Sequence, residues 1–370
     1  MRVACRIIAQ GLWPDGRTLP PLSSDQYDLL MEVASEQTVQ GLLSDALLRG
    51  GVSLDKTSAA AVFVRLEMVK NNNRDANRKV VEICRLLRSE NIRFCVVKGQ
   101  SIAVLYPNPD VRITGDIDLY CYPEDLERCL RVVENKYGVK PERDESEQHY
   151  AFTSGEIDYE LHFTLFKFAS RDNQTYFDRL IEEERLSYVE IEDEKVPTLG
   201  PTLNLVYTFL HLFHHLVELG VGLRQFYDVA ILCQRASEAA AEGRTEGALD
   251  VAKLTEILTR LDFMKAFKAI GAILVDNLGM PASYFPLSLD DADRHAADFI
   301  ITIVARRGNF GKYGRKEAVR SGLRYYVEQM GIKLSHFAHL YHLAPKENRA
   351  VIVSDLPHRI VDAVRRMYRK

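Results

Sequence analysis

Apolar positions recur at intervals of three and four from Ser24 to Leu48, where Leu29, Leu30, Val33, Val39, Leu42, Leu43 and Leu47 follow the capping residues Ser23, Ser24 and Asp25. The spacing predicts two short helices there. A longer helix is predicted from about Thr57 to Ser89, its second half carrying Val80, Val81, Ile83, Cys84, Leu86 and Leu87 as a buried stripe, with Asn91 ending it. The period then shortens. Arg93 to Val97 is β-branched and aromatic, and Asp116 to Cys121 alternates strictly between polar and apolar positions, so both read as strands. Pro123 fits the first turn of a helix bearing Leu126, Leu130 and Val133, and Tyr150 to Thr153 with Ile157 to Leu165 read as a hairpin turning at Ser154-Gly155.

Beyond Pro201 the helical period returns with Leu203, Val206, Tyr207, Leu210, Phe213 and Val217, then a helix from Phe226 to Cys233, with Ala236 to Gly247 as its solvated end and a loop. Further helices are predicted at Val251 to Arg260, Met264 to Leu278, Asp290 to Arg306 and near Arg359 to Tyr368. The expected fold is therefore α+β and helix-rich, with a small mixed sheet between helical layers. Three segments follow from the pattern: an N-terminal helical layer over 1–90, a sheet core over 91–200 and a C-terminal helical domain over 201–370.

Composition narrows the function. With 370 residues, 46% hydrophobic and 27% charged, the chain can fill a core, which rules out disorder and collagen-like repeats. A net charge of -4 and a pI near 6.2 provide no bulk attraction for long nucleic acid. Six cysteines without any Cys-x-x-Cys pair argue for reduced, buried thiols rather than a zinc ribbon or a disulfide scaffold. No apolar run approaches membrane length, and Arg6 and Gln10 interrupt the stretch Met1 to Trp13, so a cytoplasmic location is expected.

The chemistry concentrates in Lys98-Gly99-Gln100-Ser101, Arg112, Gly115-Asp116-Ile117-Asp118-Leu119 and Asp158-Tyr159-Glu160-Leu161-His162. Alternate residues of a strand share a face, so Asp116 and Asp118 present two carboxylates side by side, and Asp158, Glu160 and His162 share a face of the second strand. Paired carboxylates repel unless a cation sits between them, and a hard ion such as Mg²⁺ commonly joins carboxylates to substrate phosphates. The turn from Lys98 to Ser101 could bring backbone amides close to a phosphate. Asp-x-Asp is also a common solvated face of an antiparallel sheet. Repulsion within the pair predicts that Asp118→Asn leaves the melting temperature unchanged or raises it.

Taken in order, Val97-Lys98-Gly99, Tyr106-Pro107, Arg112, Gly115-Asp116-Ile117-Asp118-Leu119 and Glu160-Leu161-His162 resemble the nucleotidyltransferases of the DNA polymerase β-like superfamily. More narrowly they are similar to an uncharacterised bacterial nucleotidyltransferase family labelled NTP_transf_5. His211, His214 and the stretch Leu223 to Asp228 look similar to that family's second region, and the resemblance covers about Gln37 to Ala272. It implies that Asp116 and Asp118 bind metal, with Glu160 as third carboxylate, metal ligand and base; Asp158 is the reserve. It also implies two Mg²⁺ ions, with Mn²⁺ as a substitute, and an NTP substrate, ATP first. The Gly-Ser turn of the superfamily here reads Gly99-Gln100-Ser101, which moves Ser101 one place from the expected hydroxyl.

Lys98, Gly99, Ser101 and Arg112 are the expected nucleotide contacts, and His162, His211, Arg224 and Asp228 candidates to line the cleft. His211 and His215 have zinc-compatible i, i+4 spacing, with His214 beside them, but a core role is the simpler reading. Arg224 and Asp228 have the spacing of a helical ion pair. The basic segment from Arg306 to Lys316 lacks the order of a P-loop. A small-molecule acceptor is expected; a non-catalytic nucleotide-binding module, or nucleotidylation of a partner protein, are the alternatives.

Overall fold

A computed structural model describes residues 1–144, 148–218, 220–308, 331 and 334–355. The chain opens with α1 (Arg2–Leu12), which buries Ala4, Ile7, Ile8 and Leu12. Arg6, which interrupts the apolar run in sequence, stays exposed while its neighbours turn inward, and this is why the run is short although the helix is continuous. Next come α2 (Ser24–Glu36), opened by a capping box of Ser23 and Gln26, and α3 (Gln40–Arg49). The long helix α4 (Lys56–Ser89) starts where the Asp55 carboxylate accepts from the Thr57 and Ser58 amides.

Five strands form the central mixed sheet: β1 (Phe94–Val97), β2 (Ile117–Cys121), β3 (Glu142–Arg143), β4 (His149–Ser154) and β5 (Ile157–His162). Their order is β1-β2-β5-β4-β3. Only β2 and β5 run parallel; the other pairs are antiparallel. The short helix α5 (Gly99–Ala103) follows β1, and α6 (Leu126–Tyr137) supplies the crossover after β2. The β4–β5 turn is made by Gly155 at φ +66, a left-handed conformation that favours glycine.

The apolar pattern announces neither α1 nor α7 (Arg171–Glu182), nor a separate hairpin of β6 (Ser187–Ile191) and β7 (Glu194–Thr198). Charged Glu192-Asp193 occupy the turn instead of Asn-Gly, and Pro197 lies within β7, so both usual hairpin signals are missing. The helical remainder comprises α8 (Pro201–Glu218), α9 (Leu223–Ala241), α10 (Val251–Leu261), α11 (Met264–Ala272), α12 (Asp291–Arg307) and a short helix Pro345–Ala350. The basic segment beyond Gly308 and the helix expected near Arg359 to Tyr368 lie outside the described residues.

Alternation along the strands divides the sheet between two cores. Phe94, Val96, Ile117, Leu119, Cys121, Tyr159 and Leu161 pack against the second half of α4, against α6 and against the β6–β7 hairpin. Cys95, Val97, Tyr120 and Tyr122 join α1 to α3 and α8 to α11 on the other side. Each fully buried leucine or phenylalanine contributes about 2 to 3 kcal/mol, and α8 buries most of its length this way. All six cysteines are free and buried. Among the described residues no helix is long and apolar enough to cross a membrane.

Candidate active site

The parallel pairing of β2 and β5 sets Asp118 directly opposite Glu160 and Tyr120 opposite His162, while the antiparallel pairing of β5 and β4 sets His149 opposite His162. Paired residues project to the same side of a sheet, so this register gathers Asp118, Glu160, His162 and His149 on the face turned toward α8 and α9. Asp116 immediately precedes β2. One carboxylate oxygen from each of Asp116, Asp118 and Glu160 lies within 4.8 Å of the other two. Asp158 stays outside this group: it is exposed and accepts a 2.6 Å hydrogen bond from Thr153 Oγ1.

Lys98 and Gly99 form the turn between β1 and α5, with φ +54 and +42. A left-handed non-glycine residue is costly and persists where its surroundings fix it. Here the Lys98 ammonium does so. Its Nζ lies 2.8 Å from Asp118 Oδ1 and 5.7 Å from the centre of the Tyr207 ring. Ser101, expected at the phosphate, is instead fully buried, and its hydroxyl donates to the Lys98 carbonyl at 2.7 Å. The extra residue Gln100 turns it into α5, where it closes the turn and does not line the cleft. Gly99 does line it.

Electrostatics separate the two strand acids. Burial works to raise the Asp118 carboxyl, but Lys98 and the 2.9 Å contact from His162 Nε2 outweigh it and hold the group well below the usual carboxylate range. Glu160 goes the other way. Burial raises it, the His162 contact at 3.1 Å lowers it, and the Asp118 and Asp116 charges raise it further. Lys98 is raised because Asp118 overcomes the cost of its burial. His162 is raised as well, since contacts with Asp118 and Glu160 outweigh burial. His149, absent from the sequence-based candidates, sits 3.6 Å from Glu160 Oε1 and is lowered by burial. Strand alternation carries its only signal, because β4 had to be aligned with β5 before His149 met His162.

The loop before β2 is clamped from three sides. Asn73 Nδ2 donates to the carbonyls of Asp110 and Arg112, each at 2.8 Å. Arg224 Nη1 donates to the carbonyls of Ile113 and Thr114 at 3.0 and 3.3 Å. Arg112 itself is buried in a bidentate pair with Asp228, 2.7 Å on both sides, and Tyr106 donates to the same carboxylate at 2.8 Å. Asp228 therefore pairs with Arg112 and not with its helical neighbour Arg224, because the buried guanidinium meets it side-on from the loop, through Nε and Nη2. Arg112 lines the cleft, yet its fork is already occupied.

The cleft measures about 320 Å³ and is bounded by the acids, Lys98, His149, His162, His211 and the side of α8. His211 and His215 face each other with Nε2 atoms 3.1 Å apart. Burial drives both down, His211 well below its ordinary value and His215 to about 3, so the pair is held neutral. Among the described residues no third metal ligand joins them. A larger hollow of about 770 Å³, between α1 and the segment 276–284, contains none of the acids. The donor set of Asp116, Asp118 and Glu160 is all oxygen and anionic, which suits a hard divalent cation.

Residues 23–274 match the model of a family described as an uncharacterised nucleotidyltransferase, and the chain belongs to that family. No curated protein matches the chain. Among solved structures it is similar to the crystal structure of an antigenic nucleotidyltransferase-like protein from Paracoccidioides brasiliensis. The two are 15% identical with a TM-score of 0.35, over 57% of this chain and 92% of that one.

Proposed function

We propose that the protein is a divalent-metal-dependent nucleotidyltransferase that moves a nucleoside monophosphate from an NTP, ATP first, to a hydroxyl of a small acceptor. The observation that carries this reading is the convergence of Asp116, Asp118 and Glu160 within 4.8 Å at the wall of the cleft. These three residues would hold Mg²⁺, with Mn²⁺ as a substitute, and the bound metal would supply charge neutralisation at the reacting phosphates.

The chain's own groups divide the remaining work. Asp118 stays ionised throughout the neutral range because Lys98 and His162 face it against burial. Glu160, raised by burial, is the better base, and an acceptor hydroxyl would lose its proton to a Glu160 oxygen. The acceptor oxygen then bonds to the α-phosphorus, the bond from that phosphorus to the bridging oxygen breaks, and pyrophosphate leaves with the electron pair. Lys98, at the mouth of the Gly99 turn, provides the nearest ammonium for phosphate oxygens. Arg112, occupied by Asp228, positions the loop that carries Asp116. A cleft of about 320 Å³ and a net charge of -4 favour a small acceptor over a polynucleotide.

Calorimetry with ATP, CTP, GTP and UTP in the presence of Mg²⁺, followed by a pyrophosphate-release assay and transfer of labelled nucleotide to fractionated lysate, tests the reading. Metal-dependent binding and labelling of a small-molecule fraction are expected. Tight binding without turnover over a broad acceptor panel would favour a non-catalytic module, and a labelled protein band would transfer the acceptor role to a protein.

A further inference from the structure

Beside the all-oxygen acid group lies a second convergence of ligand atoms with different chemistry. His162 Nε2 is 2.9 Å from Asp118 Oδ1 and 3.1 Å from Glu160 Oε2, and His149 Nε2 is 3.6 Å from Glu160 Oε1. The two imidazoles and the Glu160 carboxylate offer atoms that all lie within 4.8 Å of one another. A tetrahedral ion with bonds of about 2.0 to 2.2 Å separates its ligands by about 3.3 to 3.6 Å, and these contacts bracket that edge length. The rings of His149 and His162 are 5.0 Å apart and inclined at 59°, so they converge and do not stack. One imidazole N–H can serve only one oxygen well, yet His162 Nε2 faces carboxylates of two residues.

We infer that His149, His162 and Glu160 form a site for a borderline divalent cation of the Zn²⁺ class, distinct in ligand type from the Asp116–Asp118–Glu160 group and sharing Glu160 with it. Imidazole nitrogen selects Zn²⁺, Co²⁺ or Ni²⁺ over Mg²⁺, so the two ends of this acid row differ in ion preference. Lys98 Nζ and His162 Nε2 both meet the same Asp118 oxygen, Oδ1, at 2.8 and 2.9 Å, so the nitrogen-containing group is carried by Glu160 and the two imidazoles. His149, Glu160 and His162 all line the open cleft, which gives an ion a path in from solvent. The inference rests on the nucleotidyltransferase reading only for the neighbouring oxygen site; the nitrogen-containing site stands on its own geometry.

Titration of the metal-stripped full chain with Co²⁺ and Zn²⁺ tests it, read by the visible spectrum of the Co²⁺ form and by calorimetry with Zn²⁺ alone. One equivalent should bind with the intense bands of a four-coordinate Co²⁺ ion. His149→Gln should weaken Zn²⁺ binding at least tenfold, and His162→Gln should do the same. Asp116→Asn should leave it within about twofold while removing Mg²⁺-dependent nucleotide binding. His149 is only partly buried, so His149→Gln remains informative if His162→Gln fails to fold, as judged by circular dichroism. No Co²⁺ binding by the wild type, or unchanged Zn²⁺ affinity in His149→Gln, would overturn the inference. Zn²⁺ binding that depends on His149 in a protein that binds no nucleotide would sustain this site while removing the transferase reading.

Discussion

Lys98 Nζ stands 2.8 Å from Asp118 Oδ1, so a strand acid expected to be under repulsion from a neighbouring carboxylate already has a built-in counter-ion. Both side chains are largely withdrawn from solvent, 11% and 4% exposed. A buried charge that loses its partner is costly, whereas two paired charges are tolerated.

Asp118→Asn should therefore destabilise the protein, on the order of 3 kcal/mol, because it leaves the Lys98 ammonium buried without its carboxylate. This reverses the sign expected from Asp-x-Asp repulsion alone. Asp116→Asn, at an exposed position, should leave the melting temperature nearly unchanged. Urea unfolding of both variants decides the matter: an Asp118→Asn protein as stable as the wild type would show that Lys98 does not depend on Asp118.

Lys98→Met makes the complementary test. The variant should melt lower than the wild type in chelator, and added Mg²⁺ should stabilise it by more, since the ion then replaces the missing ammonium at Asp118. Thermal melts across a Mg²⁺ titration measure this. Equal metal-induced shifts in the two proteins would count against Lys98 and metal sharing that carboxylate.

The Arg112–Asp228 pair ties the loop before β2 to α9, so breaking it should cost more than a surface pair does. Asp228→Asn is expected to lower stability on the order of 3 kcal/mol, and Arg112→Lys to lower it also by losing the bidentate geometry. Denaturant midpoints would check both; a loss below about 1 kcal/mol would place this pair with ordinary surface contacts.

His211 and His215 give a pH signature. Both are depressed by burial, His215 to about 3, with His214 and Lys98 adding to the effect on each; Glu218 and Asp118 act in the opposite direction on His215. The unfolded chain takes up these protons near 6.5 and the folded chain does not, so their contribution is present above that pH and is lost as the pH falls below it. Each histidine adds a slope of up to about 1.4 kcal/mol per pH unit. Stability measured from pH 7 to pH 5 should fall in the wild type and flatten in a His211→Phe, His215→Leu double variant. A flat wild-type profile would refute a buried neutral pair.

Much of this arrangement was legible without coordinates, and the reasons are local. The three-and-four spacing of α2 to α4 and α8 to α12 follows from burying one side of a helix, and the alternation of β2 follows from burying one side of a strand. Hairpin chemistry at Ser154-Gly155 was readable because Gly155 takes the left-handed conformation that its turn requires. Where local signals were atypical, at Arg6 in α1 or at Glu192-Asp193 between β6 and β7, the elements went unread.

The sequence by itself determined the kinds of elements and the carboxylates available on each strand, because side-chain periodicity is a property of a single segment. Which carboxylate joins the Asp116–Asp118 pair depends on the register between strands 40 residues apart, and the pairing of Asp118 with Glu160 in β2 and β5 selected Glu160 and left Asp158 in solvent. The partners of the charged groups were decided the same way. Arg112 found Asp228 and Lys98 found Asp118 only after packing had removed both pairs from water, where the strength of a charge contact is set by its surroundings. His149 entered the site through its alignment with His162, at the far end of the hairpin register that the Gly155 turn sets.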